Sequence, residues 1–389
     1  MRVLFITHCT SMGGANIAML NLIKEYQERE IQVYVILPMN GRELEEKLDR
    51  LGAIHKSIAM PWWVCEANHK KKLLSILQKM HVYMGNIRGT IQILPLIYKW
   101  RIDVIHTNST VVVIGALAAH IARRQHVWHL REALSFFGWD FLPSVPVVRK
   151  LFRYSDRVIV VSEACGRVYE PYLVKEKMRV IYDGVDICKE KEGIWNVEDD
   201  IFHILYLGGM SESKGCWDIL RAAEELKKIS SRKFRIWMPG CKKNGKINAV
   251  LYNFMKENDL EFCLKPLEYL KKDNLDQLRY KMDLFIMPSS LEMFGLVTVE
   301  AMMSCVPVVA SNTGANLEII ENGKTGFLYS YGDAQQLADT ILQIMQGEVT
   351  VEEIVNRACK EANNKYSVPV CAENMINVYK ELLSKKKTS

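Results

Sequence analysis

MPSSLEMFGLVTVEA, residues 287–301, decides how the rest of the chain is read. The preceding DLFIMP is an apolar run that predicts a buried strand ending at Pro288. Two acids, Glu292 and Glu300, bracket MFGLVTV. The residues after Gly295 predict the opening of a helix that carries Glu300. The first N–H groups of such a helix have no partner inside it and form an anion site. Gly295 lets a ligand approach the main chain closely. An ionised carboxylate only accepts hydrogen bonds, so it suits a hydroxylated ligand. Strand, turn and helix start together predict a clamp for a molecule with both phosphate and hydroxyls, such as a nucleotide sugar. The clamp requires both acid side chains to stay available; a carboxylate buried against a neighbouring arginine would not serve.

Outward from this stretch, strands and helices alternate. VLFIT, VYVIL, DVIHTN, HVWHL and DRVIVVS read as buried strands in the first half, and FHILYLGG, FRIWMPG, EFCLKP, DLFIMP and VPVVAS in the second. Such alternation predicts two doubly wound parallel sheets, hence two domains, with a cleft between them for a ligand. In the first, SMGGAN puts Gly13 and Gly14 where a strand hands over to a helix. In the second, LYLGGMSESKG puts Gly208, Gly209 and Lys214 in the same kind of turn. A lysine there can hold a diphosphate as a mobile point charge. The G-x-G-x-x-G fingerprint is absent, which weakens a dehydrogenase reading. The join falls near residues 182–200, where IYDGVD gives an Asp-Gly turn and KEKEGIWNVEDD is charged and weakly patterned.

Composition narrows the class. The 389 residues are 49% hydrophobic and 25% charged, ordinary for a globular chain, and the net charge of +6 is too mild to argue for nucleic acid. Ten cysteines form no C-x-x-C pair, which argues against a zinc or thioredoxin-like motif and fits reduced thiols in a cytosol. MRVLFITH reads as a strand and not a leader, and no apolar run approaches the ~18 residues of a spanning helix.

The acid–x7–acid spacing, with FGL inside it and EAM after the first residues of the helix, resembles the motif of retaining glycosyltransferases of family 4. That resemblance implies a GT-B fold: two Rossmann-like domains facing a central cleft. It implies an acceptor-side domain over residues 1–185, a donor-binding domain over 198–366, and a terminal helix (368–386) crossing back onto the first. SMGGAN resembles the family's first glycine turn, with Asn16 where many members have an acid. IYDGVD resembles the family's N-G-V-D, with Asp183 in place of the asparagine. LYLGGMSESKG resembles the G-R-L-x-x-x-K-G segment, with Gly209 at the arginine position.

The resemblance implies roles for these residues. Glu292 orients sugar hydroxyls, Glu300 binds the ribose, and Phe294, Gly295 and Leu296 place the donor through their backbone, with Gly13, Gly14, Gly208 and Gly209 near the phosphates. His129, at the end of HVWH, matches a histidine that faces the donor sugar. His129, Glu292 and Lys214 are therefore the catalytic candidates. His106, at the end of DVIH, is a rival to His129, and Asn108 stands beside it. Arg131 is a candidate for the missing phosphate charge, or else for a structural ion pair with Glu132 or another acid. Asn312, Thr313 and Gly314 line the cleft or form a plain loop.

The implied reaction is a retaining, metal-independent hexosyl transfer of front-face type. Its donor is a UDP- or GDP-sugar, with no separate cofactor, and its acceptor a glycan or lipid-linked glycan of cell-surface polysaccharide or glycolipid synthesis. An epimerase of the same architecture, acting at C2 of the nucleotide sugar, and a non-catalytic GT-B partner subunit are the alternatives. From His69 to Arg101 the chain carries seven Lys/Arg and no acid, interleaved with apolar residues. That segment is either a packed helix with a solvated basic face or a contact for an anionic membrane surface. The place of action expected is the cytoplasm, peripheral to the membrane.

Overall fold

The structure, a computed structural model, describes every residue except 67–74, 189, 191–194, 196, 198, 199 and 389. The chain divides into two compact units. One comprises residues 1–184 and 366–389, and the other residues 185–365.

The first unit is built on strands β1 (Arg2–Ile6), β2 (Gln32–Leu37), β3 (Ile54–Ser57), β4 (Val64–Glu66), β5 (Val104–Thr107), β6 (Gln125–Leu130), β7 (Trp139–Phe141), β8 (Arg157–Val160) and β9 (Met178–Val180). Its helices are α1 (Gly14–Glu28), α2 (Arg42–Arg50), α3 (Ser75–Lys99), α4 (Ile114–Ala122), α5 (Val145–Tyr154) and α6 (Glu163–Tyr169). Seven strands form one parallel sheet in the order β3-β2-β1-β5-β6-β8-β9. Strand order reverses between β1 and β5, so the turns following these strands flank the switch point, where ligands of open α/β sheets bind. Burial on both faces explains the near-continuous apolar runs in β1, β2 and β6. β4 and β7 make a separate antiparallel pair.

The second unit repeats the design with strands β10 (Phe202–Tyr206), β11 (Phe234–Pro239), β12 (Lys242–Lys243), β13 (Lys246–Ile247), β14 (Leu264–Leu267), β15 (Leu284–Met287), β16 (Val308–Ser311) and β17 (Phe327–Tyr329). Six of them form a parallel sheet ordered β14-β11-β10-β15-β16-β17. Its switch point lies between β10 and β15. β12 and β13 form a small hairpin. The helices are α7 (Cys216–Ile229), α8 (Ala249–Glu257), α9 (Lys272–Arg279), α10 (Leu296–Met303), α11 (Asn316–Ile319), α12 (Ala334–Gln346) and α13 (Val351–Tyr366).

The last helix, α14 (Val368–Thr388), belongs to the first unit. Cys371, Ala372, Met375, Tyr379 and Leu382 pack into the same core as Val3, Phe5 and Met19. The join between the units includes residues 189, 191–194, 196, 198 and 199, outside the described residues. Gly184, in the IYDGVD turn, touches the start of α14: a Cβ there would lie 2.7 Å from the Cα of Val368 and 3.1 Å from the Cβ of Cys371. Gly184→Val should therefore destabilise the first unit by about 1–3 kcal/mol, the usual cost of overpacking. A thermal melt would show this as a lowered transition; an unchanged melt would reject the close packing.

Candidate active site

The candidate residues fall into two groups, one in each unit, at the ends of the strands that form its switch point and, for His129 and Arg131, of the adjacent β6. In the second unit, three loops are fastened together. Gly215 sits at φ +73°, and a Cβ there would fall 1.8 Å from the carbonyl oxygen of Pro288 at the end of β15. Only glycine lets the lysine turn press so close. Ser290 donates its N–H (3.0 Å) and Oγ–H (3.1 Å) to the Ser213 carbonyl. The contact sets Lys214 beside the first acid of the motif, and its Nζ donates to Glu292 Oε2 at 2.8 Å.

The loop after β16 is the third support. Gly314, at φ +52°, leaves room for the Glu292 backbone, whose oxygen would be 2.2 Å from a Cβ. Ala315 N–H donates to the Glu292 carbonyl (2.8 Å), and Thr313 Oγ1 donates to Ser289 O (2.7 Å). Gly314 and Thr313 thus hold the turn that carries Glu292 in place. Gly295, at φ +96°, is the N-cap of α10, and no side chain caps that helix. The opening amides at Leu296 and Val297 lie in its first turn, the arrangement that attracts an anion. Phe294 is buried.

Glu300, one turn along α10, is held by a charge network. Its Oε2 accepts from Arg279 (2.6 Å) and its Oε1 from Lys272 (3.4 Å). Arg279 is fully buried and also donates to Asp276 (2.7 Å), which Lys272 meets at 3.0 Å and the Cys188 N–H at 3.0 Å. Glu300 is thus a shared acid: a buried arginine already takes one of its oxygens. The carboxylate is nevertheless 14% exposed, and its two oxygens have lone pairs beyond those two bonds. For Lys272 burial works against the charged form, but the charges of Glu300 and Asp276 outweigh it and raise its pKa.

The glycine turn before Lys214 has two distinct needs. A Cβ on Gly208 would collide with the Tyr206 ring, 2.0 Å from its hydroxyl. Gly209, at the position where the family has arginine, is left-handed at φ +55° with open space around it. Tyr206 Oη–H donates to Gly209 O (3.0 Å) and holds the turn.

In the first unit, Gly13 is the exposed N-cap of α1, and its carbonyl accepts from Asn16 N and Ile17 N. Asn16 is buried: its Nδ2 donates to Cys9 O (3.0 Å) and Ser11 O (2.8 Å), and its Oδ1 accepts from Thr7 Oγ1 (2.6 Å). It braces the turn that presents Gly13 and Gly14. Asn108 Nδ2 donates to Ala15 O (3.0 Å), tying the loop after β5 to the same helix start.

His129 is wholly buried at the end of β6, and so is its rival His106. The two rings touch: His106 Nε2 lies 3.2 Å from His129 Nδ1, and Arg131 Nη2 lies 3.3 Å from the same atom. Arg131 can only donate, so His129 Nδ1 is the acceptor and the ring proton sits on Nε2. His106 therefore donates from Nε2 and accepts at Nδ1 from Tyr379 Oη, 2.6 Å away on α14. Among the described residues His129 Nε2–H has no partner. Burial, then the Arg131 charge, holds both pKa values well below the usual range, so both rings are neutral.

Three of the five N–H donors of Arg131 are engaged inside the first unit. Its Nη1 is spent on Asp183, its Nε on Asn108 (3.0 Å) and its Nη2 on His129. The structural alternative is present as a buried ion pair, and the acid is Asp183, not Glu132. Burial pushes the Asp183 carboxyl up, against the pull of Arg131. Glu132 instead accepts from Ser109 Oγ (2.8 Å) and Thr110 N (3.0 Å). His8, 3.8 Å from Glu132, completes that corner. Sequence reasoning did not single out His8, Arg279 or Lys272; only the alternation of charge and helix spacing in KKDNLDQLR hinted at the last two. Among the described residues no cluster of three or more His, Cys, Asp or Glu stands ready for a metal.

A two-part match follows from these sites. Residues 12–189 match the model for Glycosyltransferase Family 4, and residues 189–365 that for Glycosyl transferases group 1. The chain belongs to this glycosyltransferase family and has its GT-B fold. Relatives include an uncharacterized glycosyltransferase of Methanocaldococcus jannaschii, 28% identical over 95% of each chain. Another is the capsular polysaccharide biosynthesis glycosyltransferase CapM of Staphylococcus aureus, 23% identical over 77% of this chain and 82% of that one. Among solved structures, Anabaena HepE in complex with UDP superposes with a TM-score of 0.78 at 22% identity, over 98% of this chain and 100% of that one. A glycosyltransferase from Rickettsia africae gives 0.80 at 20% identity over 98% of each.

Two expectations test this geometry. Gly215→Ala must displace Pro288 and should cost the second unit about 1–3 kcal/mol of overpacking on top of the about 1–2 kcal/mol of its own left-handed backbone. Gly209→Ala has open space and should cost only the left-handed backbone term, about 1–2 kcal/mol. Urea unfolding followed by tryptophan fluorescence separates them; equal losses would reject the close approach. The second concerns pH. His126 is buried between Thr107 Oγ1 and Ser155 Oγ (2.8 Å each), and burial lowers its pKa to about 3. With the folded pKa below the unfolded one, its contribution is present above about pH 6.5 and is lost as pH falls towards 3. The slope is about 1.4 kcal/mol per pH unit. His126→Gln should flatten the fall in melting temperature between pH 7 and pH 5; a parallel fall would argue against a neutral buried ring.

Proposed function

We propose that this glycosyltransferase transfers a hexosyl group from a UDP- or GDP-sugar to a glycan or lipid-linked acceptor, with retention and without a metal, in cell-surface polysaccharide or glycolipid synthesis. The observation that carries the reading is the pairing of Lys214 with Glu292 beside the uncapped start of α10, at the switch point of the second sheet. A cation and helix-end amides suit a diphosphate, and a carboxylate suits the sugar hydroxyls. The relatives agree in kind: CapM is a capsular polysaccharide biosynthesis glycosyltransferase, and HepE has been solved with UDP-glucose. Ten free cysteines fit a reducing compartment and a cytoplasmic site of action.

In the proposed front-face reaction, the bond from C1 to the phosphate oxygen breaks while the acceptor oxygen bonds to C1 on the same face. The acceptor's hydroxyl proton passes to the departing diphosphate. Lys214 and the α10 amides stabilise the negative charge that grows there. Glu292, which Lys214 already touches, orients the hydroxyls of the transferred sugar. His129 contributes a hydrogen-bond donor, its partnerless Nε2–H, and does not ferry a proton, because burial keeps it neutral. Glu300 uses its remaining lone pairs on the ribose while Arg279 and Lys272 fix its orientation.

A thermal-shift screen over nucleotide sugars should single out one donor, and incubation of that donor with candidate acceptors should give a product with the donor's anomeric configuration, read by NMR. Release of an altered nucleotide sugar without acceptor would instead identify an epimerase. Lys214→Ala should lower kcat/KM at least about a hundredfold, as expected for loss of a group that stabilises the leaving charge. Full activity in that variant would sink the assignment. Glu300→Gln should lower both the melting temperature and donor affinity; a loss of stability alone would leave Glu300 a purely structural partner of Arg279.

A further inference from the structure

Helix α3 carries an apolar stripe that the core does not use. Leu77, Met80, Met84, Ile87, Ile91 and Tyr98 recur at steps of three, four and seven, and all are exposed, from 51% at Met80 to 78% at Leu77. These steps set them on one face. The opposite face is the packed one, where Asn86, Gly89, Thr90, Ile93 and Ile97 are buried and Gly89 lies against Ile114 of α4. The basic stretch read from the sequence therefore resolves differently from expectation. Ile93 is core, Lys70, Lys71, Lys72, Leu73 and Leu74 lie outside the described residues, and the exposed face uses Met80, Met84, Ile87 and Tyr98, which the sequence reading did not count.

On the stripe's own helix and the two helices packed in series beside it, charge is of one sign. α3 packs on α4, and α4 on α5. None of the three helices contains an Asp or Glu. Arg88 and Lys99 on α3, and Arg149, Lys150 and Arg153 on α5, are exposed cations. Arg124, just past α4, places its guanidinium 5.9 Å from the Tyr98 ring, so positive charge reaches the stripe itself.

We propose that this α3–α5 face docks the protein on an anionic lipid bilayer, with α3 lying in the interface and its apolar stripe turned into the acyl boundary. An apolar helix face rimmed by cations fits a negatively charged surface both hydrophobically and electrostatically. The stripe spans about 31 Å at 1.5 Å per residue, enough for several side chains to insert at once. Among the described residues no helix is long and apolar enough to cross a membrane, so the contact is with the surface. A second copy of the chain is the poorer occupant: two such faces would set cations against cations with no carboxylate between them. The inference concerns binding and does not depend on the transfer reaction.

The full chain should co-sediment with vesicles of phosphatidylcholine mixed with phosphatidylglycerol, and far less with phosphatidylcholine alone. High salt should weaken the binding. Met84→Asp with Ile87→Asp should lower the partition coefficient at least about tenfold, because it places charge in the acyl boundary. Arg88→Glu with Lys99→Glu should do so on anionic vesicles only. Both pairs alter exposed side chains, and an unchanged melting temperature would confirm that the fold persists. Equal binding to both vesicle types, or undiminished binding by both variants, would overturn the proposal. So would a vesicle-free dimer in sedimentation velocity that Met84→Asp with Ile87→Asp dissociates, since the stripe would then be an interface between copies.

Discussion

The second unit depends on a near-collision. The Pro288 carbonyl occupies the place where any side chain on Gly215 would begin. Two loops from neighbouring strands can meet there only because one residue has no Cβ. From that contact follow the Ser213–Ser290 hydrogen bonds, the approach of Lys214 to Glu292, and the orientation in which α10 begins. A parallel sheet leaves its strand ends splayed at the switch point. The glycines at 215 and 314 let the loops close over that gap on both sides of Glu292, each making room for main chain and not for a side chain.

The first unit solves a different problem. It buries three histidines, an arginine and an aspartate, and each buried polar group needs a partner. The chain of donors from Tyr379 through His106 to His129 leaves one N–H without an internal acceptor. Arg131 fixes that outcome, because a guanidinium can only donate and so forces Nδ1 of His129 to accept. The same arginine is neutralised by Asp183. A family asparagine at 183 would not supply that charge, so the departure at this position and the burial of Arg131 belong together. Gly209, at the other departure, has an open left-handed backbone.

Much of this was legible in the sequence. Every strand buried on both faces announced itself as an apolar run: VLFI, VYVIL, VWHL, ILY, LFIM and VVAS all became sheet. Of the strands that escaped notice, β3, β9 and β17 sit at the edges of the two main sheets, where half-exposed positions interrupt the pattern, and β4, β7, β12 and β13 form two short two-stranded ladders of two or three residues each. Glycine–lysine and acid–x7–acid spacings located the loops of the second unit, because loop geometry there depends on residue type. The partners of those residues were not legible. That Arg279 holds Glu300, or that Asp183 takes Arg131, depends on which of several charges the fold brings within 3 Å, and sequence separations of 21 and 52 carry no such information. The exposure of α3 was hidden for a related reason: an apolar stripe looks the same whether a core or a lipid covers it.

The placement of α14 has a bearing on how the protein is made. The core of the first unit is assembled from residues at both ends of the chain, and the hydroxyl that orients His106 belongs to Tyr379. While the polypeptide is still emerging from the ribosome, the N-terminal sheet has no such cover, whereas residues 185–365 form an uninterrupted stretch that is complete before α14 is synthesised. A nascent chain stalled before residue 368 would hold a finished second unit and a first unit with an open hydrophobic flank. That intermediate is the one a chaperone would have reason to bind.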